Sequence, residues 1–94
     1  MTVAELAALP HDTDLPPALA ALWRDRRWQW DAAHTAAQAA GDRDGDWVHA
    51  YLHRKEGDLG NAAYWYRRAG RPVAEGDLDT EWDAIAAALL AKHQ

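Results

Sequence analysis

The chain has 94 residues, a charge of −5 and no cysteine, which together remove disulfides, thiolate metal sites and thiol catalysis. No apolar run approaches the roughly 20 residues of a membrane-spanning helix, so no membrane association is expected. Six Trp, 22 Ala and a single Ile point to one small all-α domain over residues 1–94. Ala is the best helix former, strands favour β-branched residues, and a short chain needs large side chains to fill its core.

Thr2 and Glu5 stand at capping-box spacing and open a short helix that Pro10 closes. The opening "MTVAELAALP" has no basic segment and no long apolar run, so it is expected not to be a secretion signal, and a cytoplasmic location follows. "PHDTDLPP" is an irregular connector whose last proline suits a helix start, and helices are predicted over 17–26 and 28–40. "GDRDGD" is a turn in which Asp44 or Asp46 caps the next helix, over 47–56, which "EGD" breaks. Another helix spans 60–69 and ends at Gly70, with Pro72 just beyond. "RPVAEGDL" is a loop, and Asp79 or Thr80 caps a last helix over 79–92. There Trp82, Ile85, Ala86 and Leu89 make one apolar face.

Shifted by thirty residues, the chain repeats itself without a gap. Identities fall at Ala20/Ala50, Leu22/Leu52, Arg24/Arg54, Ala32/Ala62, Ala33/Ala63 and Ala39/Ala69. Each copy contains two predicted helices and a tight turn, as in helical-hairpin repeats.

The second copy resembles a tetratricopeptide or Sel1-like repeat. "GDLGNA" is similar to the Gly-Asp turn before the second helix of those repeats. Ala62, Tyr66 and Ala69 match that helix's small–aromatic–small positions, Trp47 matches the opening aromatic, and Pro72 lies near the terminal proline. Tyr51 departs from the pattern by standing where it has a small residue, and the first copy has Trp28 in place of the turn's aspartate. The resemblance covers residues 18–72. It implies two tandem helical hairpins, 18–41 and 48–71, closed by N- and C-terminal capping helices, and a role in protein–protein interaction. Residues 47–72 are also similar to a string shared by a family of small uncharacterised microbial proteins, which implies no activity, cofactor or partner.

At 100° per residue, Trp47, Val48, Tyr51 and Leu52 share one face of their helix, and Ala62, Trp65, Tyr66 and Ala69 form the stripe of the next. Trp47, Tyr51, Trp65 and Tyr66 are therefore expected in the core. His49, His53 and Glu56 fall on the opposite side, and Tyr64 and Arg68 lie together off the stripe, so these are expected on a solvated polar face. The thirty-residue shift places His34 over Tyr64 and Gln38 over Arg68, giving the earlier helix an equivalent strip.

Residues 16–72 carry nine bases against seven acids, whereas both ends are acidic. That excess is too small for a general polyanion binder but sufficient for a local anion site. Arg suits bidentate capture of a carboxylate or phosphate, so His53, Tyr64, Arg67, Arg68 and Arg71 form a candidate strip for an acidic peptide or small anionic group. The function expected is an adaptor-like interaction module, monomeric or weakly dimeric and without a cofactor.

Other readings compete for the same residues. Tyr64 and Arg68 at i, i+4, and His53 with Glu56, can pair locally with no ligand at all. "HAYLH" places His49 and His53 at chelating spacing, although Ala50 stands where zinc proteases carry their glutamate. A third ligand would have to come from Asp46, Glu56 or His34; two histidines alone imply weak zinc binding, so no metal is assigned. An enzyme using His49, His53 and Glu56 for acid–base work has no supporting motif, and the chain lacks Ser as well as Cys. "YWYRRAGR" interleaves aromatic and basic groups as nucleic-acid surfaces do, but helical phase buries Trp65 and Tyr66 and the net charge opposes binding.

Overall fold

The computed structural model describes residues 1–93, which form six α-helices and no strand. These are α1 (Val3–Ala8), α2 (Pro17–Arg26), α3 (Trp30–Ala40), α4 (Arg43–Glu56), α5 (Leu59–Ala69) and α6 (Leu78–Lys92). The capping box of α1 forms, with Thr2 Oγ1 accepting from the Glu5 N–H at 3.1 Å and the Glu5 carboxylate accepting from the Thr2 N–H at 2.8 Å. Pro17 opens α2 as the first helical residue.

Several boundaries differ from those the sequence predicts. Helix α4 begins at Arg43, four residues earlier, because Asp42 and neither Asp44 nor Asp46 is the cap; its side chain accepts from the Gly45 N–H at 2.8 Å. Gly45 thereby lies inside the helix, where α3 leaves no room for a side chain: a Cβ there would sit 2.5 Å from Ala40 Cβ and 2.6 Å from the Ala37 carbonyl oxygen. Helix α5 starts at Leu59, capped by Asp58, and α6 starts at Leu78 behind Asp77, not at Asp79 or Thr80. Helix α3 starts at Trp30, since Trp28 takes a left-handed conformation, φ 61°, in the turn that follows α2.

Helix α2 packs closely on α3, α4 packs on both α3 and α5, and α6 closes the molecule against α1, α2 and α4. The main core joins Leu6, Leu19, Leu22, Val48, Leu52, Trp82, Ile85 and Leu89, all buried. Trp82 Nε1 donates to the Leu22 carbonyl at 3.1 Å, which satisfies the one polar atom of the largest buried side chain. Two buried carboxylates are also paired. Asp25 accepts from Tyr51 Oη (3.2 Å) and Lys55 Nζ (2.9 Å), and Glu81 accepts from Arg54 Nη1 (2.8 Å) and from Tyr66 Oη. Burial, with these carboxylates alongside, pushes both tyrosine hydroxyls well above their ordinary range, so they act as donors. Tyr51 thus finds a buried acid for its hydroxyl.

Helix α4 is touched by α2, α3, α5 and α6 and is consequently buried on nearly every side. The sequence phase puts His49 and His53 on a solvated face. They are instead 2% and 6% exposed, because α3 and α5 flank α4 on the side away from the main core. No Cα of α3 comes within 8 Å of a Cα of α5, so the two helices are the walls of a groove with α4 as its floor.

Candidate three-histidine centre

Helical periodicity arranges this groove in tiers. Trp30, His34 and Gln38 follow one another at i, i+4, i+8 on α3, and Asn61, Trp65 and Arg68 at i, i+4, i+7 on α5. Asp46, His49, His53 and Glu56 run along α4 between them. The middle tier brings His34 of α3 onto His49 and His53 of α4. Ring centroids are 4.5 Å apart for His34 and His49, 5.2 Å for His34 and His53, and 4.7 Å for His49 and His53. One ring nitrogen from each of the three lies within 4.8 Å of the other two.

Each ring is held by a neighbour. Trp30 stacks on His34 (4.9 Å, planes 13° apart) and meets His53 edge-on at 5.9 Å. Trp30 Nε1 donates to the Leu52 carbonyl of α4 at 2.9 Å, which fixes the indole. Trp65 stacks on His49 at 3.9 Å, and its Nε1 donates to Asn61 Oδ1 at 3.1 Å. His53 Nδ1 lies 2.7 Å from Glu56 Oε1. An ionised carboxylate only accepts, so Nδ1 is the donor in this pair. This carboxylate–imidazole arrangement is the one that orients metal-binding histidines.

Burial disfavours the charged forms of His34 and His49. Burial first, then the neighbouring imidazoles of His34 and His53 and the guanidinium of Arg68, bring His49 down to about 4. Burial and His53 lower His34 as well, against the opposing pull of Glu56 and Asp31. Neutral imidazole is the form that ligates a metal. Glu56 and Asp58 also approach His53 closely enough to form a second acidic group with it, but both are exposed.

Above the middle tier, a cleft of about 260 Å³ is lined by Gln38, Gly41, Asp46, His49, Trp65 and Arg68. The Arg68 guanidinium lies over the Trp65 ring at 4.9 Å and donates to Tyr64 Oη at 3.3 Å, and its Nε is 3.7 Å from Asp46.

The residues singled out from the sequence are thus divided. His53 belongs to the imidazole cluster, and Tyr64 and Arg68 stand beside it at the cleft. Arg67 is exposed and lines none of this cleft. Arg71 lies beyond the end of α5, over the Trp47 ring at 3.8 Å, in a separate depression with Glu75 and Glu81. Trp47 and Trp65, expected in the core, are only half-buried, whereas Tyr51 and Tyr66 are buried. Sequence reasoning named His34 among three sources of a third ligand but had no ground for preferring it, and it missed Trp30. The signal present was the i, i+4 spacing of Trp30, His34 and Gln38, which puts them on one line. No family model, curated protein or solved structure matches the chain.

Proposed function

We propose that this protein binds a divalent transition-metal ion through His34, His49 and His53. The carrying observation is the approach of three imidazole nitrogens from two helices to within 4.8 Å of one another, with His49 and His53 almost fully buried. Packing three imidazoles together, two of them buried, is unfavourable for protonated rings and favourable for a shared cation. Imidazole donors suit zinc, copper, nickel or iron, and an all-nitrogen set disfavours magnesium and calcium, which take oxygen ligands. Three protein ligands leave one position open, as in sites that exchange a bound group.

The fold reading that accompanies this is a pair of tetratricopeptide-like hairpins, α2–α3 and α4–α5, with α1 and α6 as caps. The close packing within each pair supports it. On that reading the ion joins α3 of the first hairpin to α4 of the second. An interaction role for the same groove is supported by Arg68 and Tyr64, which stand beside the cleft with part of their surface in solvent.

Calorimetric titration of zinc into chelator-treated protein at pH 7.5 tests the metal reading. One ion per chain is expected, at about 1 μM or tighter. His34→Ala, His49→Ala and His53→Ala should each weaken binding at least about tenfold, since losing even a group that only orients a metal ligand costs about 10–100-fold. A protein that takes up no zinc, copper, nickel or cobalt with one-to-one stoichiometry does not have this function. Affinity unchanged in His34→Ala removes α3 from the site.

A further inference from the structure

We propose that the open position on this metal is filled by a carboxylate that Arg68 holds at the same time, so that ion and anion bind as a pair. The inference rests on the metal reading above and adds its exchangeable ligand.

Access decides the direction of approach. Trp30 covers His34 and meets the edge of His53, while Glu56 occupies His53 Nδ1, so the lower end of the groove is taken up by protein groups. The upper end opens into the cleft of about 260 Å³, and His49 is the one cluster member that lines it. A ligand entering that cleft reaches the ion past His49, with Arg68 and Gln38 on either side.

Charge decides the kind of ligand. A divalent ion on three neutral imidazoles keeps its full charge, and the cleft supplies one carboxylate of its own, Asp46. Asp46 lies 3.7 Å from Arg68 Nε, too far for a hydrogen bond. Arg68 is already placed, its guanidinium 4.9 Å from the centre of the Trp65 ring and tethered to Tyr64 Oη, with further N–H groups uncommitted among the described residues. An oriented guanidinium is suited to a planar two-oxygen acceptor. One carboxylate oxygen on the metal and the remaining acceptor capacity on Arg68 satisfies both cations. The Gln38 amide is exposed at the rim and adds a donor from α3. A cleft of this size admits a small free acid or the tip of one acidic side chain.

The test uses the full chain loaded with cobalt(II), whose visible absorption reports its ligands. The probes are succinate, as a free acid, and acetylated tetraglutamate, as a peptide source of the same group. Either probe should perturb the cobalt bands saturably. Its apparent Kd should rise about tenfold or more in Arg68→Ala, roughly what loss of one charge-assisted contact costs. Arg68→Lys should recover only part of this, because the point charge remains without the fork. Arg68 is exposed, so circular dichroism should be unchanged in both variants. Tighter binding of tetraglutamate places the carboxylate on a partner chain, and tighter binding of succinate on a free acid. Cobalt bands that neither probe moves at about 10 mM overturn the inference, as does a response equal in wild type and Arg68→Ala; both leave the metal reading standing. A chain that binds no cobalt overturns the metal reading first, and this inference with it.

Discussion

His49 lies flat against Trp65, with ring centroids 3.9 Å apart and planes 18° from parallel. The contact joins α4 to α5 at the edge of the groove, so Trp65 works as a side wall and not as core. Complete burial of a tryptophan would make truncation cost about 3–5 kcal/mol. Trp65 is half-buried and its indole N–H is bound to exposed Asn61. Trp65→Ala should therefore cost about 1.5–2.5 kcal/mol, combining partial area loss with loss of one aromatic pair. The variant should stay folded in water, with a lower urea midpoint. It should also bind zinc more weakly, because His49 loses the surface that sets its plane. A loss above about 4 kcal/mol would place Trp65 in the core after all.

At Gly45 two effects oppose one another, and their sizes decide the outcome. Alanine is favoured over glycine in a helix by about 1 kcal/mol. The added Cβ would stand 2.5 Å from Ala40 Cβ and 2.6 Å from the Ala37 carbonyl oxygen, both fixed parts of α3 and not flexible side-chain ends. Relieving such overlap means moving α3 away from α4, and overpacking of this kind costs about 1–3 kcal/mol or more. Gly45→Ala should thus be destabilising by about 2 kcal/mol net in urea unfolding. Because α3 carries His34, it should also weaken metal binding. A stabilised variant would mean that α3 and α4 are further apart than described.

Much of the helical layout was legible in the sequence because it depends on local chemistry. Pro17, the Thr2–Glu5 pair and the left-handed residues Gly57 and Gly70 mark ends that single residues dictate. The start of α4 was misread because three aspartates, Asp42, Asp44 and Asp46, all have the chemistry of a cap. The choice among them is made by the fit of Gly45 against α3, a tertiary fact. The histidine cluster was hidden for a related reason. Helical phase tells which side of α4 carries His49 and His53, but not that two further helices enclose that side. A polar face flanked by α3 and α5 becomes a buried one, and the third imidazole arrives from fifteen residues upstream of His49.

Trp28 is a bulky residue in the left-handed region, φ 61°, with 86% of its surface exposed. That conformation costs an L-residue about 1–2 kcal/mol, and Asn tolerates it better than most. What the side chain returns is small: Lys55 Nζ stands 4.9 Å from the ring, worth about 0.5 kcal/mol at an exposed site. Trp28→Asn should therefore stabilise the protein by about 0.5 kcal/mol, whereas the β-branched Trp28→Val should destabilise it by about 1 kcal/mol. Thermal unfolding of the two variants beside wild type gives the sign directly. A clear loss in Trp28→Asn would show that the indole makes stabilising contacts which its exposure does not reveal.

The stability of the metal-free protein should depend on pH through the buried imidazoles. His49 titrates near 4 when folded and near its ordinary value of 6.5 when unfolded, and His34 is displaced in the same direction. The groups facing His49 are His34 from α3, His53 and Asp46 from α4, and Arg68 from α5; the two imidazoles and Arg68 resist a further positive charge. Between the two values the unfolded chain binds the proton and the folded chain does not, so acid favours unfolding. Stability is then fully present above about 6.5, falls as pH drops through that value, and stops falling on this account near 4. The full displacement of His49 sets a ceiling of about 3–4 kcal/mol, and relaxation of the protein around a charged ring reduces the expected loss to about 2 kcal/mol. Urea unfolding of chelator-treated protein at pH 7.5, 5.5 and 4.5 should show this decline. In His49→Gln, which keeps a neutral polar group of similar reach, most of the decline should vanish. An equal slope in wild type and His49→Gln would assign the acid sensitivity to the carboxylates and leave His49 uninvolved.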